Sequence, residues 1–348
     1  MNLNPAGLDG IDFIEFTSPE PDKLHKLFLA FGFSRTMRHK EKAIDYYNQG
    51  DIHFFLNREP STFAGEFSKA HGPAVSSMGW RTKNALSALE ATRALGAKPA
   101  QSGDYSRLGQ AIPAIYGIGD SLIYFIQDYD SSSKRFEQMG FAPLKEPDLV
   151  PGKGFQVVDH LTNNVYKGTM ERWSNFYKDV FGFIEVRYFD IRGAKTGLLS
   201  YALRSPCGKF CIPINEGTEA KSQINEYLDE YKGPGVQHIA FLTTDIIKSL
   251  ESLKGTGIET LDMDQEYYEE AFRRVPQVTE DRAKLQDLQI LVDGDEEGYL
   301  LQIFTKNIIG PIFFEIIQRK NHLAFGEGNF GALFRSIERD QQKRGYLK

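Results

Sequence analysis

Cysteine is scarce in this sequence: 348 residues hold two, Cys207 and Cys211, both within CGKFC. A lone CxxxC lacks the second pair of a structural zinc site, and one bridge in so long a chain makes no disulfide framework. Long apolar runs are missing too, and none approaches the roughly 18 residues of a membrane span. The opening, MNLNPAGLDGIDFIEF, has no basic segment leading into an apolar one, so no secretory signal is expected. Nor is there an excess of positive charge. The net charge is −6, with Lys and Arg scattered among acids, which argues against nucleic acid, whose phosphates need a basic face. What is present, 41% hydrophobic and 25% charged residues, is the balance of a soluble globular protein long enough for two ordinary domains. A cytoplasmic protein is the expectation.

The chain resembles itself. GLDGIDFIEFTSPEPDKLHKLFLAFGF ends at Phe33, and FQVVDHLTNNVYKGTMERWSNFYKDVFGF ends at Phe183. In both, a short β-like run leads into a helical pattern that closes on Phe-Gly-Phe. Leu24, Leu27, Phe28 and Phe31 in one copy, and Trp173, Phe176, Tyr177, Val180 and Phe181 in the other, follow the spacing of an amphipathic helix packed on a sheet. A second matched pair starts at His71 and Lys232, and each half ends in β-rich sequence, SLIYFIQDY and PIFFEIIQRK. The pattern predicts two similar α+β domains, each built from paired βαβββ units. They divide into residues 1–142 and 154–348, joined through PLKEPDLVPGKG, Pro143 to Gly154.

Aligning the copies isolates three residues. His160 falls on Phe13, His238 on Ser77 when the Gly-Pro pairs are matched, and Glu315 on Tyr124 when Gln318 is matched with Gln127. Each polar residue sits mid-strand with apolar neighbours on its own face, such as Val236, Ala240 and Leu242 for His238. A buried carboxylate costs several kcal/mol unless paired or bound to a metal. Two imidazoles and a carboxylate form the facial triad of non-haem Fe(II) oxygenases, and the same set also suits catalytic zinc. The other histidines fall in an amphipathic helix, polar segments or loops, where a solvated or structural role is the simpler reading.

VVDHLTNNV, IPINEG, SQINEYL, GVQHIAF, GYLLQIFTK, FFEIIQRK and GEGNFGALFRSIERDQ occur in the order of a known family. With them the sequence resembles the 4-hydroxyphenylpyruvate dioxygenases of the vicinal-oxygen-chelate superfamily, over nearly the whole chain and most specifically in its second half. The resemblance implies tandem vicinal-oxygen-chelate domains, the first without metal ligands and the second catalytic with a C-terminal closing helix. It implies one Fe(II) per chain on His160, His238 and Glu315, and oxidation of 4-hydroxyphenylpyruvate with O2 to homogentisate and CO2 in tyrosine catabolism. Motif by motif it assigns Ser200, Pro213, Asn215, Gln223, Gln302, Phe304, Phe313, Phe325, Asn329 and Phe330 to the substrate pocket. Strand alternation puts Gln302 with Phe304, Pro213 with Asn215, and Phe313 with Glu315 on shared faces. Asn329 also reads as the N-cap of a closing helix whose apolar face is Leu333, Phe334 and Ile337. The expected partners are the small-molecule substrate, O2 and further copies of the chain in a homo-oligomer, with neither nucleic acid nor membrane. The competing functions are hydroxymandelate synthesis on the same fold, which Pro213 and Asn215 disfavour, and non-enzymatic sequestration of a ligand, which has no use for a buried triad.

Overall fold

The computed structural model describes residues 3–130, 134–193 and 195–347. The outer ends of the two expected domains, positions 1 and 348, lie outside the described residues. The first half opens with β1 (Leu8–Thr17), α1 (Pro21–Ala30), β2 (Ser34–His39), β3 (Ile44–Gln49) and β4 (Ile52–Asn57). α2 (Phe63–His71) leads to β5 (Ala74–Thr82) and α3 (Ala85–Ala94). The ribbon of β6 (Ser106–Arg107) and β7 (Gln110–Ala111) precedes β8 (Ala114–Tyr116), β9 (Leu122–Ile126), α4 (Arg135–Gln138) and β10 (Phe141–Asp148). The second half begins with β11 (Phe155–Val165), α5 (Met170–Phe181), β12 (Ile184–Arg192), β13 (Gly197–Arg204) and β14 (Cys211–Gly217). α6 (Gln223–Tyr231), β15 (Gly235–Thr243), α7 (Ile246–Leu253), α8 (Gln265–Arg274) and α9 (Arg282–Asp287) follow. β16 (Leu291–Gly294), β17 (Tyr299–Phe304), β18 (Phe313–Lys320) and α10 (Phe330–Lys343) complete it.

The repeat seen in the sequence is a repeat of topology. One sheet runs β10-β2-β3-β4-β1-β5-β9-β8 and the other β12-β13-β14-β11-β15-β18-β17-β16. Leaving out β10 and β16, the orders match strand for strand. The directions match as well: β1 lies parallel to β4 and antiparallel to β5, as β11 does to β14 and β15. These are tandem vicinal-oxygen-chelate domains. The segment expected as linker differs. Its first residues extend β10, which pairs with β2 along the sheet edge. Pro143 and Pro147 are tolerated there because an edge strand has one unpaired side that needs no N–H donor.

On their outer faces the two halves share one apolar core. Phe31 meets Phe314 edge-on at 5.0 Å, and Trp80 meets Phe181 at 5.0 Å. Such pairs add about 0.5–1.5 kcal/mol each beyond the area they bury. The inner faces differ. That of the first sheet is filled: Phe13 stacks on Phe55 at 4.3 Å, and Tyr105 packs against Tyr124 at 5.4 Å. Gly79 makes room for this, since a Cβ there would stand 2.4 Å from the Phe13 ring. The inner face of the second sheet surrounds a cavity instead. No described helix is long and apolar enough to cross a membrane.

Candidate metal centre and substrate cavity

β11, β15 and β18 are adjacent strands of the second sheet. The ladders pair His160 with Ala240 and Ala240 with Glu315. Strands lie ~4.8 Å apart, so a small residue between His160 and Glu315 lets their side chains lean together above it. Ala240 is that residue, and it is fully buried. His238, two positions earlier on β15, rises from the same face.

Three donor atoms meet there. His160 Nε2 lies 3.1 Å from Glu315 Oε2, while His238 Nε2 lies 3.3 Å from that oxygen and 3.3 Å from His160 Nε2. The centre of this triangle is roughly 1.9 Å from each corner, within the ~2.0–2.2 Å of zinc–imidazole and zinc–carboxylate bonds. One ion could therefore be held by all three donors. The donor set fits a divalent metal, and the chain carries a candidate metal site.

Each imidazole is aimed through its far nitrogen. His160 Nδ1 faces Asp159 Oδ1 at 2.8 Å, and an ionised carboxylate only accepts, so the proton sits on Nδ1 and leaves Nε2 free to ligate. Arg319 grips Asp159 with a two-pronged fork, 2.8 Å on each prong. His238 Nδ1 lies 3.1 Å from Gln237 Oε1 and is fixed in the same way. Burial works against the charge of Glu315, but the facing imidazoles, His160 first, hold its carboxyl down to about 2. Burial also works against charging His160, yet in the metal-free chain Glu315 and then the bond to Asp159 push it up to about 9, so a metal binding here would displace the Nε2 proton and leave the one on Nδ1. Burial chiefly holds His238 below its ordinary value. Asp159 stays ionised well below the carboxylate range, because the Arg319 fork outweighs its burial.

The cavity opens beside the triad. Of the ten residues expected in a substrate pocket, nine line it: Ser200, Pro213, Asn215, Gln223, Gln302, Phe304, Phe313, Phe325 and Phe330. Ser200 and Asn215 are paired across β13 and β14, which sets them side by side. Phe313 stacks on His238 at 4.9 Å, and Phe325 stands edge-on to His160 at 5.7 Å.

Asn329 is the exception. It is wholly buried and lies behind Gln302, its Nδ2 3.5 Å from Gln302 Oε1. Its Oδ1 accepts from Tyr267 at 2.5 Å, so it makes no side-chain cap for α10. A tyrosine from α8, distant in sequence, has captured the group that local spacing assigned to the helix.

Leu333, Phe334 and Ile337 on α10 line the cavity themselves, as do Phe189, Ile191, Thr162 and Gln237. Strict alternation places Gln237 opposite His238, so the sequence carries no signal for its contact with that ring. α10 is pinned by Glu338, whose Oε1 accepts from the backbone N–H of Lys195 and Thr196, 3.0 Å each, and from the Thr196 hydroxyl. Arg335 and Arg339 add ion pairs to Asp264.

Residues 2–143 match the family described as hydroxyphenylpyruvate dioxygenase, N-terminal, and residues 157–282 the glyoxalase/bleomycin resistance protein/dioxygenase superfamily. The chain is 44% identical over 352 residues to a 4-hydroxyphenylpyruvate dioxygenase of Legionella pneumophila, covering all of this chain and 99% of that one. The chain belongs to the 4-hydroxyphenylpyruvate dioxygenase family. A member from Pseudomonas aeruginosa is 43% identical, with 99% of this chain and 97% of that one covered. The protein MelA of Shewanella colwelliana is 60% identical, with 99% of each chain covered. Among solved structures, a 4-hydroxymandelate synthase variant from Streptomyces coelicolor superposes with a TM-score of 0.81 over 96% of this chain and 99% of that one. At 22% identity that likeness concerns the fold alone.

Proposed function

We infer that this chain is an enzyme that oxidises 4-hydroxyphenylpyruvate with O2 to homogentisate and CO2, a step of tyrosine breakdown. One observation carries the chemistry: two imidazoles and a carboxylate converge on a single point at the wall of a cavity rich in phenylalanine. We propose Fe(II) as the metal, one per chain, held by His160, His238 and Glu315. Iron held there supplies the one-electron chemistry that makes dioxygen reactive towards a 2-oxo acid.

The protein's own work is positioning. Glu315 would bring the one negative charge among the three ligands of a dication, leaving the site net positive and suited to a substrate carboxylate. Phe304, Phe313 and Phe325 provide flat walls for an aromatic ring, while Ser200, Asn215, Gln223 and Gln302 offer hydrogen bonds that fix its orientation. α10 closes the cavity with Leu333, Phe334 and Ile337 and limits the entry of water during oxidation. We place the division between the halves after Asp148, with catalysis in the second. Cys207 and Cys211 are free, which supports a reducing compartment and hence the cytoplasm.

The test is oxygen uptake by the purified chain with Fe(II), ascorbate and 4-hydroxyphenylpyruvate, followed by chromatography of the product. Homogentisate formed in step with oxygen consumed supports the reading. Hydroxymandelate as product, or no uptake, rejects it.

A further inference from the structure

We propose that Arg319 is a positioning residue that couples the metal ligand His160 to the segment roofing the substrate cavity, so that one guanidinium governs both metal affinity and substrate binding. The proposal rests on the reading that His160, His238 and Glu315 hold the metal.

Arg319 lies on β18, four residues past Glu315 and on the same strand face. Two of its nitrogens, Nε and Nη2, donate to the two oxygens of Asp159, whose Oδ1 also receives His160 Nδ1. Its remaining nitrogen, Nη1, turns the other way. It donates to the backbone carbonyls of His322, at 3.1 Å, and Ala324, at 2.6 Å. These carbonyls belong to the strap that follows β18, and the next residue is Phe325. The Phe325 ring lies 6.0 Å from the guanidinium carbon and 5.7 Å from the His160 ring. The contacts therefore close a circuit: Arg319 to Asp159, to His160, to Phe325, to Ala324 and back to Arg319.

The side chains of Arg319 and Asp159 are each only 13% exposed. A buried ion pair alone is weak grounds for a role, because desolvation offsets its attraction. The division of labour across the guanidinium is what points to coupling. One edge reads a carboxylate that orients a ligand, and the opposite nitrogen reads a backbone that carries a pocket wall. Only a planar group with several fixed donors does both, so a lysine of equal charge cannot replace it.

The test uses full-length Arg319→Lys and Asp159→Asn proteins, checked for folding by circular dichroism. Fe(II) affinity is measured anaerobically, and KM for 4-hydroxyphenylpyruvate by oxygen uptake. Asp159→Asn keeps an acceptor for His160 and spares the carbonyl contacts, so metal binding weakens by roughly 10–100-fold while KM stays near that of the wild type. Arg319→Lys loses both edges, so the Kd for Fe(II) and KM both rise by roughly tenfold or more. If Arg319→Lys moves only one of the two, or neither, the coupling is absent and the proposal falls. Unchanged metal affinity in Asp159→Asn overturns it as well, so either variant decides if the other does not fold. Glu315→Gln is run beside them. If it binds Fe(II) like the wild type, the metal-site reading has failed; if it loses Fe(II) while Arg319→Lys behaves normally, the coupling alone has failed.

Discussion

Tyr124 occupies in the first sheet the place that Glu315 occupies in the second. The ladders run Phe13, Gly79, Tyr124 in one and His160, Ala240, Glu315 in the other. Ser77 pairs with Leu122 as His238 pairs with Phe313, which completes the correspondence. The two halves thus hold the same three positions, and in the first they are occupied by two rings and a hydroxyl.

Glu315→Gln should weaken metal binding severely. The substitution keeps the shape and removes the only anionic donor of the three. Affinity for Fe(II) should fall by more than the roughly 10–100-fold typical of losing a group behind a ligand, and turnover should be lost with it. Metal analysis after anaerobic reconstitution should find one iron per wild-type chain and far less in the variant. Two tightly held irons per wild-type chain would show that the first half binds as well.

Phe13→Ala should separate stability from catalysis. Phe13 is 1% exposed and packed between Phe55, Tyr105 and Tyr124, so its truncation should cost about 3–5 kcal/mol. Its ring does not line the cavity beside His160, His238 and Glu315, and the folded variant should turn over at the wild-type rate. Urea melts and steady-state kinetics on one preparation check both halves of this statement. A large loss of turnover in fully folded protein would contradict it.

The first sheet also carries a pH dependence of its own. Glu15 is completely buried and accepts hydrogen bonds from Asn57, Ser76, Ser77 and Tyr105. Burial first, and then the nearby charge of Asp104, push its carboxyl up to about 7 from an ordinary value of 4.5. The folded chain thus holds this proton more tightly than the unfolded one. The stability gained from it is complete below the ordinary value of about 4.5 and is lost as pH rises through about 7. Glu15→Gln should remove this contribution. Denaturation midpoints at about pH 5 and about pH 8 should fall further apart in the wild type than in the variant. Equal separations would mean that Glu15 is not the group responsible.

Glu338→Ala should loosen the lid without touching the metal. The change strands the buried backbone N–H of Thr196, at a cost of about 1–3 kcal/mol, and releases α10 from the loop it is tied to. The value of kcat/KM should fall by roughly tenfold, the factor that ~1.4 kcal/mol represents, while Fe(II) affinity holds. Wild-type kcat/KM would show that Glu338 contributes only to packing.

The sequence by itself determined the repeat, the α+β class and the three candidate ligands. Each of these is written in short-range periodicity: alternation of two along a strand, spacing of three and four along a helix, and a comparison of one half with the other. Family resemblance added the pocket, and nine of its ten residues line the cavity. Tertiary structure decided the rest. β10 became a strand because β2 offered an open edge. Asn329 makes no side-chain cap because Tyr267, 62 residues away, donates to its Oδ1 instead. Arg319 meets Asp159 across 160 residues, and no local pattern encodes that distance. Strand register and the curl of a sheet choose such partners, and both exist only once distant segments have packed.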